Sequence, residues 1–262
     1  MPSTATTPDL CTIPLRERPL VPVLLAGYAA VWAWAAVRPV DRAEWWLEQL
    51  LPAGWLLFLG LAWRKRLVRL SDASCVALAL FLALHAVGAR YGYEDTPAGA
   101  WLGDWAGTAR NPYDRLVHGA FGVCLGYVAR ELWLRFGQFP RFVRAWASVH
   151  AGVAVLAASA AYEILEWGAA RLFAPGLGSA FVGAQGDVWD APADMAMAAA
   201  GAAAGLLLAE VAHRIAYRTP VRVARVAADV ASPTALPEGA RVYEHGPRRP
   251  RHAARIRTPA TG

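Results

Sequence analysis

The sequence predicts an all-α fold, a polytopic membrane bundle of about six transmembrane helices with both termini in the cytoplasm. Of the 262 residues, 56% are apolar and only 18% are charged, whereas about a quarter of the residues of a typical soluble domain are charged. The apolar residues are gathered into long runs that are separated by short charged loops. Runs of about 20 residues are what a helix needs to cross about 30 Å of hydrocarbon.

Six such runs follow one another along the chain, and we expect each to form a spanning helix. They cover residues 20–37, 47–63, 73–89, 113–134, 146–167 and 191–212. For the first run a secretory signal peptide is an alternative, because Ala33-Trp34-Ala35 resembles a small-residue cleavage site. Similar runs follow it, so an uncleaved anchor is the preferred interpretation.

The distribution of Lys and Arg predicts the orientation of the spans. Basic residues collect in the N-terminal segment, between the second and third runs, between the fourth and fifth, and after the sixth. The other three loops hold most of the acids. Since basic loops stay in the cytoplasm, every second loop and both termini are expected there.

We expect three segments: a cytoplasmic segment over 1–19, the membrane domain over 20–217 and a basic, mostly disordered cytoplasmic tail over 218–262. The net charge is +6, but the arginines lie in short loops and in the tail, which favours a topological role over nucleic-acid binding. The partner predicted for this protein is therefore the lipid bilayer and not a nucleic acid. The three cysteines are isolated, so neither a disulfide framework nor a zinc knuckle is indicated.

Polar side chains recur at one depth in four of the runs, near their predicted extracytoplasmic ends. His85, His118, Glu163 and Asp194 each lie about one helical turn inside. A rim of charged residues lies above them, namely Arg90, Asp114, Arg115, Glu166, Asp187 and Asp190. We expect no comparable cluster on the cytoplasmic side, where Glu210 is the main acid. An ionisable group costs about 2.5–3.5 kcal/mol at the centre of a spanning helix and less near its ends, and it normally faces protein or water.

The excess of acids over arginines needs compensation by a cation, by protonation of the carboxyl groups or by a cationic substrate. The candidate metal ligands are Asp114, His118, Glu163, Glu166, Asp187, Asp190, Asp194 and His85. Histidine with carboxylates suits zinc or manganese, and carboxylates alone suit calcium or magnesium. Structural roles compete with this: Asp190 is well placed to cap a helix, and Asp114 with Arg115 to complement the dipole of the next one.

The segments NPYDRLVHGAFG, YEILEW and GAQGDVWDAPADM, preceded by LHAVGARYGY, resemble the DUF2238 family of YjdF-type inner-membrane proteins. The similarity covers residues 20 to 215, and it implies a multi-spanning protein of the bacterial inner membrane without an established activity. In coarser outline the Asp114-Arg115-x-x-His118 element is similar to VanZ-like membrane proteins, although the Ala-rich run after Asp194 departs from their pattern.

Three functions remain open at this point. The first is a metal-assisted or acid/base enzyme on a lipid-linked envelope substrate, with His118 or Glu163 as general base and Arg115 binding an anionic group. The second is a proton-coupled or small-solute transporter in which Glu163, Asp194 and His118 couple the transport. The third is a structural or sensory membrane protein whose polar cluster fastens the helices. The catalytic candidates are therefore His118, Glu163, Asp194 and Arg115.

Overall fold

The structure is a computed structural model that describes residues 18–65, 67–68, 70–136, 143–173 and 184–231. Every regular element in these ranges is helical. The helices are α1 (Leu20–Ala36), α2 (Arg42–Arg64), α3 (Asp72–Tyr91), α4 (Pro97–Ala106), α5 (Tyr113–Phe136), α6 (Val143–Phe173) and α7 (Asp190–Ala231), with a short 3₁₀ turn at Ala184–Gly186. The all-α membrane fold predicted from the sequence is confirmed.

Helix ends in the first half of the chain follow local chemistry. The Asp41 side chain accepts hydrogen bonds from the backbone of Ala43 and Glu44 and caps α2. Ser71 caps α3 in the same way by accepting from the backbone of Ser74. At the other end of α3, Gly92 adopts a left-handed conformation with φ 58°, which a glycine tolerates without steric cost. α2 therefore begins five residues before the apolar run at 47–63, which places Glu48 in the second turn of the helix.

Within the described residues, three helical segments are long and apolar enough to cross a membrane: Asp72–Tyr91 in α3, Ala145–Ala169 in α6 and Asp190–Ala212 in α7. α1 is apolar but has only 17 residues, whereas α2 and α5 are longer and are interrupted by charged side chains. The count of six crossings and the cytoplasmic position of the termini therefore stay predictions.

Contacts at the helix ends show that neighbouring helices alternate in direction. At one end, Val40 before α2 donates to the backbone oxygen of Arg90 at the end of α3, at 2.9 Å. Tyr162, late in α6, donates to Glu48, early in α2. At the opposite end, Arg130 late in α5 donates to Ser148 early in α6. The first set of ends, which the charge distribution predicts to be extracytoplasmic, carries the candidate site.

α5 and α7 pack backbone to backbone along a seam of small residues. A Cβ atom added to Gly122 would lie 2.0 Å from the Ala198 carbonyl oxygen, and one added to Gly201 would lie 2.1 Å from the Gly119 oxygen. No side chain fits at these positions. The Gly201-x-x-x-Gly205 pattern thus acts as expected of small residues between membrane helices, by permitting a close approach.

The end of the bundle that we predict to be cytoplasmic holds more paired acids than the sequence analysis expected. Glu131 accepts hydrogen bonds from both Ser71 and Ser74 and forms an ion pair with Arg135 at 2.6 Å. Arg130 pairs with Glu210 at 3.0 Å. The expectation that Glu210 is the main acid there was wrong, because Glu131 lies within an apolar run and contacts the start of α3, which is distant in sequence.

The chain divides into two compact units, Met1–Arg214 and Ile215–Gly262. The first unit contains all the helices named above up to the membrane-crossing part of α7. The second is described as helical through Ala231, fourteen residues beyond the predicted end of the membrane domain at 217. Most of the predicted N-terminal segment and the tail after residue 231 lie outside the described residues.

Candidate functional site

Three of the predicted residues meet in one group, which we call the central group: Asp114 and His118 of α5 and Asp194 of α7. One donor atom from each lies within 4.8 Å of the others. Asp114 and His118 are four residues apart and so share a helix face, with 3.7 Å between Oδ1 and Nε2. The small-residue seam one turn further along lets α7 bring Asp194 to that face.

Asp194 is the most buried member of the central group. The residue is 2% exposed, and its Oδ1 atom has no hydrogen-bond partner among the described residues. Burying an acceptor without a donor costs about 1–3 kcal/mol, and more when the group is charged. The arrangement therefore favours a proton or a cation beside this oxygen.

Glu163 of α6 lies next to the central group. Its Oε1 atom is 3.5 Å from His118 Nε2 and is buried, again without a hydrogen-bond partner in the described part of the chain. Glu166, three residues on, is an exposed residue and is not one of the three grouped side chains. Of these two acids, only Glu163 reaches the histidine.

Two arginines and two aspartates form a rim, which we call the rim cluster. Arg115 donates to Asp187 at 2.6 Å and lies 3.8 Å from Asp190. Arg110 forms a close ion pair with Asp190 and is 3.6 Å from Asp187. The two predicted rim aspartates thus face arginines. A hydrogen bond from the Trp189 backbone and the Arg115 guanidinium lower the pKa of Asp187, which holds it ionised.

A backbone clasp lies beside the rim cluster and joins the loop before α5 to the 3₁₀ turn before α7. The backbone N–H of Asn111 donates to Gln185 Oε1 at 2.7 Å, and Gln185 Nε2 donates back to the Asn111 oxygen at 2.9 Å. The Gln185 backbone also donates to Glu94 at 2.9 Å. Gln185 has φ 58°, a left-handed conformation that is unusual for a residue with a side chain.

A second polar network surrounds Glu48 of α2. Tyr162 donates to its carboxylate at 3.1 Å, and His85 Nε2 lies 3.0 Å from its backbone oxygen. That oxygen lacks its helical partner because the residue four positions on is Pro52, which has no N–H. His85 therefore supplies the hydrogen bond that the helix loses.

The other ring nitrogen of His85 is also in a hydrogen bond, with the Tyr93 hydroxyl at 2.7 Å. Burial and the nearby Glu48 carboxylate raise the pKa of Tyr93 well above its usual range, so its hydroxyl stays protonated and can donate. A carbonyl can only accept, so Nε2 carries the proton and Nδ1 accepts from Tyr93. Both ring nitrogens of His85 are thus engaged in hydrogen bonds, and neither is open to a metal ion.

Arg90, predicted as a counter-charge for the rim, has another role. It donates to the Trp34 oxygen at 2.6 Å and to the Val37 oxygen, and its guanidinium lies 4.3 Å from the Trp34 ring centre. It thereby ties the end of α1 to the end of α3. Arg110 takes the position beside the acids instead.

Sequence reasoning missed Arg110 and Glu48. Arg110 stands in the loop segment TARNPYDR, where nothing separates it from an ordinary loop arginine. For Glu48 there was a signal, since a proline four residues after it frees its carbonyl for a donor from another helix. His85 is that donor.

Comparison with known proteins agrees with the membrane architecture. The sequence profile described as "Predicted membrane protein (DUF2238)" matches residues 20–215. The Inner membrane protein YjdF of Escherichia coli (strain K12) is 37% identical over 157 residues, which is 60% of this chain and 73% of that protein. No solved structure matches. The looser resemblance to VanZ-like proteins stays a prediction. Because the profile covers most of the chain and a relative carries the same membrane assignment, this is an inner-membrane protein that belongs to the DUF2238 family.

Proposed function

We propose that this protein binds one divalent metal ion through Asp114, His118 and Asp194 and acts as a metal-assisted enzyme on a cell-envelope substrate at the extracytoplasmic face. The observation that carries the proposal is the convergence of one nitrogen and two oxygen donors within 4.8 Å, drawn from two helices. The unpartnered Oδ1 of the nearly inaccessible Asp194 supports a cation at this point.

The donor set fits zinc or manganese better than calcium, because an imidazole nitrogen is a poor ligand for hard cations. Zinc bonds of about 2.0–2.2 Å hold neighbouring donors about 3.5 Å apart. The 3.7 Å between Asp114 Oδ1 and His118 Nε2 is close to that spacing. Three protein ligands are also the number that catalytic zinc sites use, since the fourth position is kept for water or substrate.

The neighbouring residues provide the remaining chemistry. When bound, a metal of this kind polarises a substrate oxygen or lowers the pKa of a water molecule. Glu163, 3.5 Å from His118, is placed to accept a proton as general base. Arg115, which follows the ligand Asp114 directly, is placed to hold an anionic group of the substrate. A lipid-linked substrate suits a site at the end of membrane helices.

Elemental analysis of the purified full chain tests the metal. We expect about one zinc or manganese ion per chain in the wild type and in the exposed-acid control Asp95→Asn. The variants Asp194→Asn and His118→Gln should lose it while remaining folded by circular dichroism. A folded wild type that takes up neither metal, even after incubation with both, would overturn the proposal and favour the transporter, in which Glu163, Asp194 and His118 carry protons.

A second measurement separates binding from catalysis. Metal-loaded protein is incubated with an envelope lipid extract, and the products are followed by mass spectrometry. Glu163→Gln should keep the metal and lose turnover by at least about 100-fold, which is the usual contribution of a general base. Turnover that survives in Glu163→Gln would remove this residue from its proposed role.

A further inference from the structure

One carboxylate oxygen of the rim cluster is shared by two arginines. Asp187 Oδ2 lies 2.6 Å from Arg115 and 3.6 Å from Arg110. An oxyanion between two guanidinium groups is the arrangement by which proteins bind phosphate, because each guanidinium offers several N–H donors in a plane. Here an acid of the protein itself provides the oxyanion.

The two aspartates of the cluster differ in how firmly they are held. Asp190 begins α7, its side chain is 10% exposed, and it pairs closely with Arg110. The side chain of Asp187 is 31% exposed and lies in the short connection between the 3₁₀ turn and α7. The next two residues, Val188 and Trp189, are exposed as well. Asp187 is therefore the member that a solvent-borne or lipid-borne anion can reach and replace.

The charges of the cluster agree with such a replacement. Arg110 pairs closely with Asp190, whereas the nearest carboxylate oxygen to Arg115 in the cluster is that of Asp187, at 2.6 Å. When Asp187 moves away, Arg115 loses this partner and offers its N–H donors to another anion beside the central group. A phosphate monoester carries about −1.5 to −2 charges and three acceptor oxygens, so it competes well with one carboxylate.

We propose that Arg110 and Arg115 form a phosphate-binding subsite and that Asp187 occupies this subsite until a phosphate group displaces it. The inference rests on the proposed function, which it deepens by naming a phosphate-bearing substrate. It makes Asp187 an internal competitor, so removing its charge should strengthen phosphate binding.

The test is a titration of the full chain in detergent with inorganic phosphate, followed by calorimetry in the presence of a chelator. Asp187→Asn keeps the side-chain oxygen that accepts the Trp189 backbone hydrogen bond at 2.9 Å but loses the charge. We expect its phosphate affinity to exceed that of the wild type roughly tenfold, the scale of one charge-assisted hydrogen bond. The control Asp104→Asn, an exposed acid of α4, changes the net charge equally and should alter the affinity less than about twofold.

Arg115→Gln in the Asp187→Asn chain must abolish the gain. The proposal is overturned if Asp187→Asn gains nothing, if Asp104→Asn gains as much, or if the gain survives without Arg115. Because the chelator removes metal ions, the titration measures phosphate binding in the absence of metal. A negative titration therefore does not count against the metal site, and a negative metal analysis does not decide the titration.

Nanodiscs distinguish the two sources of a phosphate group. The titration is repeated in phosphatidylcholine with and without phosphatidic acid, whose headgroup is a phosphate monoester. Phosphatidic acid that weakens the binding of inorganic phosphate supports the subsite and assigns it to a lipid headgroup. Unchanged binding supports the subsite and assigns it to a phosphate group that arrives from the aqueous side.

Discussion

The substitution Gly122→Ala tests whether the small-residue seam positions the central group. Gly122 is one helical turn after His118, and Ala198, whose oxygen the new methyl group would meet at 2.0 Å, is one turn after Asp194. Such contacts essentially never fall below 3.0 Å, so α5 and α7 must separate locally by about 1 Å. Overpacking of this kind costs about 1–3 kcal/mol, which lowers the melting temperature by roughly 3–10 °C in a chain of this size.

The same displacement should weaken metal binding. Ligand distances in a metal site are held to about 0.2 Å, so moving Asp194 by about 1 Å should reduce the affinity by at least the 10- to 100-fold that loss of ligand support causes. Thermal unfolding by circular dichroism and competition with a chelator measure the two effects. Gly126→Ala is the matched control, because its Cβ would lie 3.5 Å from the Ala202 Cα, an ordinary contact. If Gly122→Ala and Gly126→Ala had equal stability and equal metal affinity, the idea that the seam positions the central group would be refuted.

Three further predictions concern the second network and the rim. Tyr162→Phe should lower the free energy of unfolding by about 1–3 kcal/mol, because the Glu48 carboxylate loses a hydrogen-bond donor. Chemical denaturation in detergent measures this difference, and Tyr162→Trp is the control for side-chain bulk. Pro52→Ala restores a backbone N–H for the Glu48 oxygen, so His85→Ala should lower the free energy of unfolding by about 1 kcal/mol less in that background than in the wild type. Additive effects in this double-mutant cycle would contradict the role given to His85. The lowered pKa of Asp187 stabilises the fold above pH about 4, the unfolded value, and this contribution is lost as the pH falls through the lower folded value. The stability difference between wild type and Asp187→Asn should therefore shrink on acidification, and a difference that grows would refute the ion pair.

The sequence predicts the fold class because hydrophobicity and helix length are local quantities. Runs of apolar residues have few alternatives to helices in a bilayer, since every backbone polar group must be satisfied within the segment. The same reasoning predicts depth along each helix, which is why His85, His118, Glu163 and Asp194 could be expected at one level, with Asp114 in the rim above them. Depth alone does not give the rotation of a helix about its axis.

Rotation separates the predicted residues that meet from those that do not. Glu163 and Glu166 are three residues apart on α6, yet of the two only Glu163 approaches His118. His85 is also at the expected depth, but it faces the freed carbonyl of α2. The weak amphipathicity of these helices, which are apolar on nearly all sides, leaves the rotation to interhelical contacts. The glycine contacts of α5 with α7 are of that kind, and they involve residues far apart in sequence.

The boundary of α2 shows a second limit of the sequence reasoning. The apolar run begins at residue 47, but Asp41 caps the helix earlier and brings the polar segment RAEWWLEQ into it. An N-cap signal was present in the Asp41 side chain, and hydropathy alone passes over it. Glu48 therefore lies in the second turn of α2 rather than at its first residues, and it forms the centre of the second network.

The two ends of the bundle argue against a purely structural role for the central group. At the end we predict to be cytoplasmic, Glu131 accepts from two serines and an arginine, and Arg130 donates to Glu210 and Ser148. Polar residues that only fasten helices are satisfied in this way, because each partner then offsets the cost of burying the other. At the site, oxygens of Asp194 and Glu163 lie buried without a donor among the described residues, and Arg115 pairs with Asp187 instead. The same helices thus form one end in which the acids are paired and another in which carboxylate oxygens lack a donor and can accept a cation or a proton. A binding site requires this difference.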